Sequence, residues 1–206
     1  MLAPIVVRMA KTRKEDKDLL MPIREEARKI NLRPQLLGKS LCIPSIPQCK
    51  TNWCWVACAA MVLTYRKKEF GKQCELAAYG LDASDLDCCD GHPSGGPCDR
   101  PASDKLIKAL YHCFQIRAEL FAQIPPDEII AEINDRSAPV EIGYTSSGFG
   151  RGASGHVVLV YGWQEDNGGV SFLIHNPLTQ ARTARASFAL PGIAYMGHWD
   201  ATWKGL

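Results

Sequence analysis

The stretch Gln48-Cys-Lys-Thr-Asn-Trp-Cys-Trp-Val-Ala-Cys58 sets a cysteine, Cys54, at the head of an apolar, alanine-rich segment. A cysteine attacks a carbonyl as its thiolate, and a free thiol has a pKa of about 8.5, so a nucleophilic cysteine needs surroundings that favour the anion. Residues 53–67 hold no Gly or Pro, and Trp55, Ala59, Val62 and Leu63 recur at helical spacing. They predict a largely buried helix from Trp53 to Lys67 with Asn52 as its N-cap, which places Cys54 in the first turn. An exposed helix end favours negative charge by roughly 0.3–1 kcal/mol, while one pKa unit is about 1.4 kcal/mol. The helix start is too weak alone. An imidazole partner is required.

Five histidines are available: His92, His112, His156, His175 and His198. His156 opens the apolar run His156-Val-Val-Leu-Val-Tyr-Gly-Trp163 directly after a glycine-rich stretch, so a rigid strand would hold its ring beside a loop that can approach a cleft. A general base also needs an orienter for its other ring nitrogen. Asn176 follows the next strand, Val170–His175, and the connection Asp166-Asn-Gly-Gly169 makes the two strands a hairpin that returns Asn176 to the level of His156. His175 is the rival base, but strand alternation points it to the other face. Gln48 lies six residues before Cys54 on a segment that Pro44 and Pro47 keep extended. From there its amide could join the Cys54 backbone N–H in an oxyanion hole, where each donor contributes roughly 2.7–4 kcal/mol.

These residues resemble the papain-like cysteine peptidases. Gln48-x5-Cys54-Trp55, then Gly155-His156-Val-Val, then His175-Asn176-Pro177 is similar to the compact bacterial branch that includes the AvrRpt2-type effector proteases and the C39-like peptidases. The resemblance covers about residues 44–180. It implies Cys54 as nucleophile, His156 as base, Asn176 as orienter and Gln48 as oxyanion donor. It also implies a helical lobe facing a β lobe across a cleft, no cofactor, and a protein or peptide as substrate. Trp55 matches the aromatic residue that follows the family's nucleophile, and Trp53 is expected at the cleft edge, so both are candidate substrate contacts. The same triad could serve deamidation, isopeptide cleavage or acyl transfer, and a second alternative is a non-catalytic papain-fold binding module with a Cys/His metal site.

The elements around these residues follow from periodicity. Helices are expected over Gln73–Tyr79, from Ser103 with Leu106, Ile107, Leu110 and Cys113 facing inward, and from Pro126 to Asn134. Strands are expected at Pro139–Tyr144, at the two arms of the hairpin, and more weakly at Arg182–Leu190 and Met196–Trp203. Helices first and antiparallel sheet second make an α+β fold. Its helical lobe would run over about 48–135 and its β lobe over about 136–206, with residues 1–43 as a separate extension. Residues 1–38 carry nine Lys/Arg and five Asp/Glu. Residues 11–32 read as amphipathic helix broken near Pro22, a possible propeptide or an arm that docks a partner protein.

Composition narrows the remaining classes. A net charge of +2 makes no case for nucleic acid or an anionic membrane, and no apolar run approaches the roughly 20 residues of a spanning helix. A monomer is expected. The first residues are too short and too proline-interrupted for a secretory signal, while nine cysteines suit an oxidising compartment. The expectation is therefore a cytoplasmic protein or an effector exported by a specialised route. Cys74, Cys88, Cys89 and Cys98 are expected to pair as disulfides, with structural zinc, assisted by His92, as the competing use. The fit to zinc is poor because the cluster has no Cys-x2-Cys pair. Cys49 is placed to tether the Gln48 segment to this loop, and Cys58 reads as core.

Overall fold

The apolar run behind Cys54 folds as a helix buried on every side. In the computed structural model the described residues are 37–83, 85–91, 95–146, 154–166, 169–178, 184–187 and 198–206. They belong to a compact unit spanning Leu36–Leu206. The expected helices of residues 11–32, His92, and the glycine-rich stretch at 147–153 lie outside the described residues.

Helix α1 spans Cys54–Tyr65, and each residue from Cys54 to Leu63 is buried. A helix apolar all round belongs in the middle of a domain. It lies between the sheet on one side and helices α2 (Gln73–Gly80) and α3 (Asp104–Cys113) on the other. Helix α4 (Pro126–Asp135) starts with Pro126 in its first turn, where a missing N–H costs nothing. The N-cap of α1 is Trp53, not the expected Asn52, and no side chain caps this end. Asn52 is engaged elsewhere: its backbone N–H donates to Asp99 Oδ1 and its Nδ2 to the Asp99 carbonyl. Ser103 does cap α3 by accepting the Leu106 N–H. On that helix Ile107, Leu110 and Tyr111 face inward, whereas Cys113, expected in the core, is exposed.

Seven strands form one antiparallel sheet: β1 (Leu37–Ser40), β2 (Glu119–Phe121), β3 (Val140–Ser146), β4 (Ser154–Asp166), β5 (Gly169–His175), β6 (Ala184–Ser187) and β7 (His198–Lys204). The order is β2-β7-β3-β4-β5-β6. β3 flanks β4 from Ser154 to Val160, and β1 pairs with the rest from Gly162 to Glu165. Residues 37–43 are thus part of this unit, with Leu41 and Ile43 in its core, so the folded domain begins before the boundary expected at residue 44. β1 and β2 escape periodicity because four and three residues show no alternation. The α+β architecture with its helices preceding most of the sheet is the one expected.

Gly80, at the end of α2, is where two helices touch. A Cβ there would stand 2.4 Å from the Trp55 ring. Gly80→Ala should gain about 1 kcal/mol of helix propensity and lose roughly 1–3 kcal/mol to overpacking. The expected net effect in thermal unfolding is a fall in Tm of up to about 8 °C. A raised Tm would show that Trp55 yields without cost.

Candidate active site

Cys54 is the first residue of α1 and only 6% exposed. It lines a small open pocket of about 90 Å³ together with Trp55, Pro101, Ile107 and Asp104 from the helical side. Tyr144, His156, Val157, Asp200 and Trp203 line it from the sheet. Cys54 and His156, a hundred residues apart in sequence, therefore share one cleft. β4 holds His156 in register with Tyr144 on β3, and their rings meet edge to face at 5.4 Å.

The orienting bond is present in the geometry. His156 Nε2 lies 2.8 Å from Asn176 Oδ1. The Leu178 N–H also donates to that same oxygen at 3.0 Å, which identifies the atom as the carbonyl oxygen of the amide. An oxygen can only accept, so Nε2 carries the proton and Nδ1 of the neutral ring keeps its lone pair. The hairpin does not deliver Asn176 by simple strand pairing. A register shift between Val160 and Gly162 sets His175 opposite Leu159. The chain then leaves the sheet, and the turn made by Asn176 with Leu178 reaches back to His156. His175 is turned away, with Nε2 against the Ile43 carbonyl at 3.0 Å and its ring stacked on Tyr161.

Gln48 is close to this assembly but directed otherwise. Its backbone N–H donates to the Pro177 carbonyl, next to Asn176. Its Nε2 donates to the carbonyls of Lys50 at 2.8 Å and Thr51 at 2.6 Å, so both amide hydrogens are engaged in the resting geometry. Trp53 corrects the expectation of a cleft-edge contact. It is 1% exposed, and its indole N–H donates to the Cys98 carbonyl because a buried indole needs an acceptor. Trp55 is equally buried, donates to the Arg100 carbonyl, and contributes to the pocket wall.

The cysteine-rich loop is held by two disulfides, Cys74–Cys89 and Cys88–Cys98. With all four sulfurs paired, none is a thiolate ligand for zinc. Cys49, expected as a tether, is a free exposed thiol. The tether exists at its neighbours instead: the buried Lys50 ammonium pairs with Asp90 at 3.0 Å, and Asn52 binds Asp99. Cys58 is buried with its thiol directed at the Val157 carbonyl.

Burial sets the electrostatics. It pushes the Cys54 thiol up to about 11, against backbone hydrogen bonds with Val157 and Trp55 that pull it down. Burial also lowers His156, opposed by the bond to Asn176. Behind the helix, buried Glu141 on β3 is raised to about 8, by burial first, with the Tyr111 hydroxyl bonded to it pulling the other way. At neutral pH it is mostly uncharged and adds little negative potential behind Cys54. The resting pocket thus holds a protonated thiol beside a neutral imidazole.

Sequence reading missed Tyr144, Asp104, Asp200 and Trp203 as pocket walls. For Tyr144, Asp200 and Trp203 the signal is the register of β3 with β4 and β7, which no local pattern encodes, whereas Asp104 enters at the first residue of α3.

An α+β fold with a cysteine at a helix start and a histidine on a facing sheet, in one cleft, defines a papain-like cysteine peptidase. The family described as papain-like cysteine protease AvrRpt2 matches residues 39–190, and the chain belongs to it. Among solved structures, a C39-like peptidase from Bacillus anthracis superposes with a TM-score of 0.53 at 15% identity. That alignment covers 81% of this chain and 97% of the other, a likeness of fold. Comparison with curated proteins gave no match.

The two shifts set a pH profile for cleavage. The base must be unprotonated, so activity is lost as pH falls through the lowered His156 value, below 6.5, and the alkaline limit lies near the Cys54 value of about 11. Asn176→Ala removes the bond that raises His156. The acid limb should therefore move to still lower pH while kcat falls about 10–100-fold. The dependence of kcat/KM on pH checks both. An alkaline limb near pH 8 would instead mark a thiolate–imidazolium pair.

Proposed function

We propose that the chain is an endopeptidase acting on internal bonds of a protein or peptide substrate through Cys54, His156 and Asn176. The observation that carries this reading is the pair of hydrogen bonds that Asn176 Oδ1 accepts, from the Leu178 N–H and from His156 Nε2. It leaves Nδ1 as the ring nitrogen able to take a proton in the cleft that Cys54 lines. With the thiol protonated at rest, His156 acts as a general base while the sulfur attacks, so the proton leaves Sγ as the bond to carbonyl carbon forms. The tetrahedral oxyanion is received by backbone N–H groups at the start of α1. Collapse expels the amine, which takes the proton from His156, and leaves a thioester on Cys54. His156 then draws a proton from water, whose attack on the thioester breaks the carbon–sulfur bond and releases the acid, and that proton passes from His156 to the departing Cys54 sulfur.

In this reading Gln48 joins the oxyanion hole by turning one amide hydrogen away from Lys50 or Thr51. Asp104, Asp200 and the aromatic walls border the substrate channel.

A proteome-derived peptide library, followed by mass spectrometry, tests the reaction class. New chain ends that vanish with Cys54→Ala and with His156→Ala are the expected result. Conversion of Gln to Glu without new ends would make the chain a deamidase, and ligated peptides a transferase. Gln48→Ala should lower kcat by about 10²–10³ with KM little changed. A loss under about threefold would assign the oxyanion hole to the backbone alone.

A further inference from the structure

The turn that leads into Cys54 is held from outside by one loop, which grips Lys50, Asn52, Trp53 and Trp55. Lys50 pairs with Asp90 and lies over the Trp53 ring, 5.0 Å from its centroid. The Asn52 N–H donates to Asp99 Oδ1 at 2.8 Å, and Asn52 Nδ2 to the Asp99 carbonyl at 2.9 Å. The indole of Trp53 donates to the carbonyl of Cys98, and that of Trp55 to the carbonyl of Arg100. Within the turn, the carbonyls of Lys50 and Thr51 hold the Gln48 amide, and the Lys50 carbonyl accepts the Trp53 N–H. A shift at residues 50–52 would therefore move Gln48 and the start of α1 together.

Asp99 is at the centre of this grip. Its second carboxylate oxygen accepts the Gly95 N–H at 2.8 Å, so one side chain joins the loop's own backbone to the turn. Its neighbour Cys98 is bonded to Cys88, which anchors the loop. Helix α1 has no side-chain cap, so apart from the Trp53 N–H bond to the Lys50 carbonyl, the direction in which the chain enters at Trp53 depends on contacts from outside the turn. The bidentate contact of Asn52 with Asp99 supplies that constraint, one residue before the cap.

We propose that Asp99 is a positioning residue for the cleavage step. It fixes the Lys50–Asn52 turn so that the Cys54 sulfur, the α1 backbone N–H groups and Gln48 hold one geometry around the carbonyl under attack. The proposal rests on the triad reading above and adds a residue that touches neither substrate nor sulfur. A misplacement of about 1 Å at reacting groups costs on the order of 100-fold in rate, so a lost positioning contact shows in turnover before binding.

The test compares Asp99→Ala with Asp87→Ala in the full chain, on a peptide cleaved in the library experiment. Asp87 accepts the Cys89 N–H inside the same loop and serves as the control for loop stability. Asp99→Ala should lower kcat about tenfold or more with KM within about twofold, while Asp87→Ala leaves both near wild type. Asp99→Asn, which keeps an oxygen for the Asn52 N–H, should recover most of kcat. Asn52→Ala removes only the side-chain bond and should give a smaller fall in kcat. Hydrogen exchange at the Asn52 amide should quicken in Asp99→Ala and not in Asp87→Ala. An unchanged kcat in Asp99→Ala, or an equal fall in the Asp87 variant, overturns the proposal. Should Asp99→Ala fail to fold, the kcat of Asn52→Ala decides, and wild-type turnover there overturns it. If Cys54→Ala keeps wild-type turnover, the triad reading falls instead, and the Asn52 exchange rate still decides whether Asp99 fixes this turn.

Discussion

Helix α1 has no polar face. From Cys54 to Leu63 each residue is buried, so the helix can exist only where the sheet covers one side and α2 with α3 cover the other. Burying ten residues this way brings in much apolar area at roughly 25 cal/mol per Å². It also dictates where chemistry can occur. The flanks of such a helix are closed to substrate, and its N-terminus, where N–H groups lack intrahelical partners, is the end that opens on the cleft. Cys54 sits at that end. The sheet that covers the helix presents β4, and β4 starts at the cleft with His156. Packing of one apolar helix therefore sets the sulfur and the imidazole on facing walls.

The same burial creates polar debts that the surrounding loops settle. Two indole N–H groups, on Trp53 and Trp55, enter the core and need acceptors, because an unpaired buried donor costs about 1–3 kcal/mol. They find them at the carbonyls of Cys98 and Arg100. Those carbonyls are available because the loop is anchored through Cys88–Cys98 and drawn against the turn by Asp90 and Asp99. Glu141 shows the opposite solution. Held among α1, α3 and the sheet with the Tyr111 hydroxyl as partner, it is better buried neutral than charged, and its raised pKa records that preference. The loop and the carboxyl both follow from what α1 excludes from water.

Much of this was legible from residue type and spacing, for definite reasons. The positions of Cys54, His156 and Asn176 are legible because each stands at the edge of a strongly patterned segment. The four helices and the β4–β5 hairpin follow for the same reason. The resting direction of the Gln48 amide is not legible in the sequence, because it depends on the Lys50 and Thr51 carbonyls, which a turn presents and periodicity cannot. Trp53 was taken for a cleft residue because proximity in sequence says nothing about which side of a helix start a side chain enters. The Cys49 tether failed in chemistry but not in place: the segment is bound to the loop through Lys50 and Asn52, by charge and amide instead of sulfur. The Asn176 contact held for a different cause than strand pairing, since a bulge moved the register and a turn restored the reach.

The opening string of residues around Cys54 suggests a reactive thiol, and burial at the head of α1 pushes that thiol's pKa up, which favours its protonated form. Thiol–disulfide exchange and oxidation proceed through the thiolate, so a buried thiol with a raised pKa is slow in both. That matters in a chain with two disulfides and five free cysteines, because an activated thiolate would threaten the pairs that hold its own scaffold. The cost is that the helix start cannot supply the nucleophile ready made. In the mechanism proposed above, deprotonation coincides with attack and depends on a ring whose tautomer is fixed in advance. Leu178 fixes the Asn176 amide, Asn176 fixes the proton on His156 Nε2, and the lone pair that remains on Nδ1 is the one the thiol needs. Burial of Cys54 and orientation of His156 are thus two halves of a single requirement, a sulfur that stays a thiol until a carbonyl is in place.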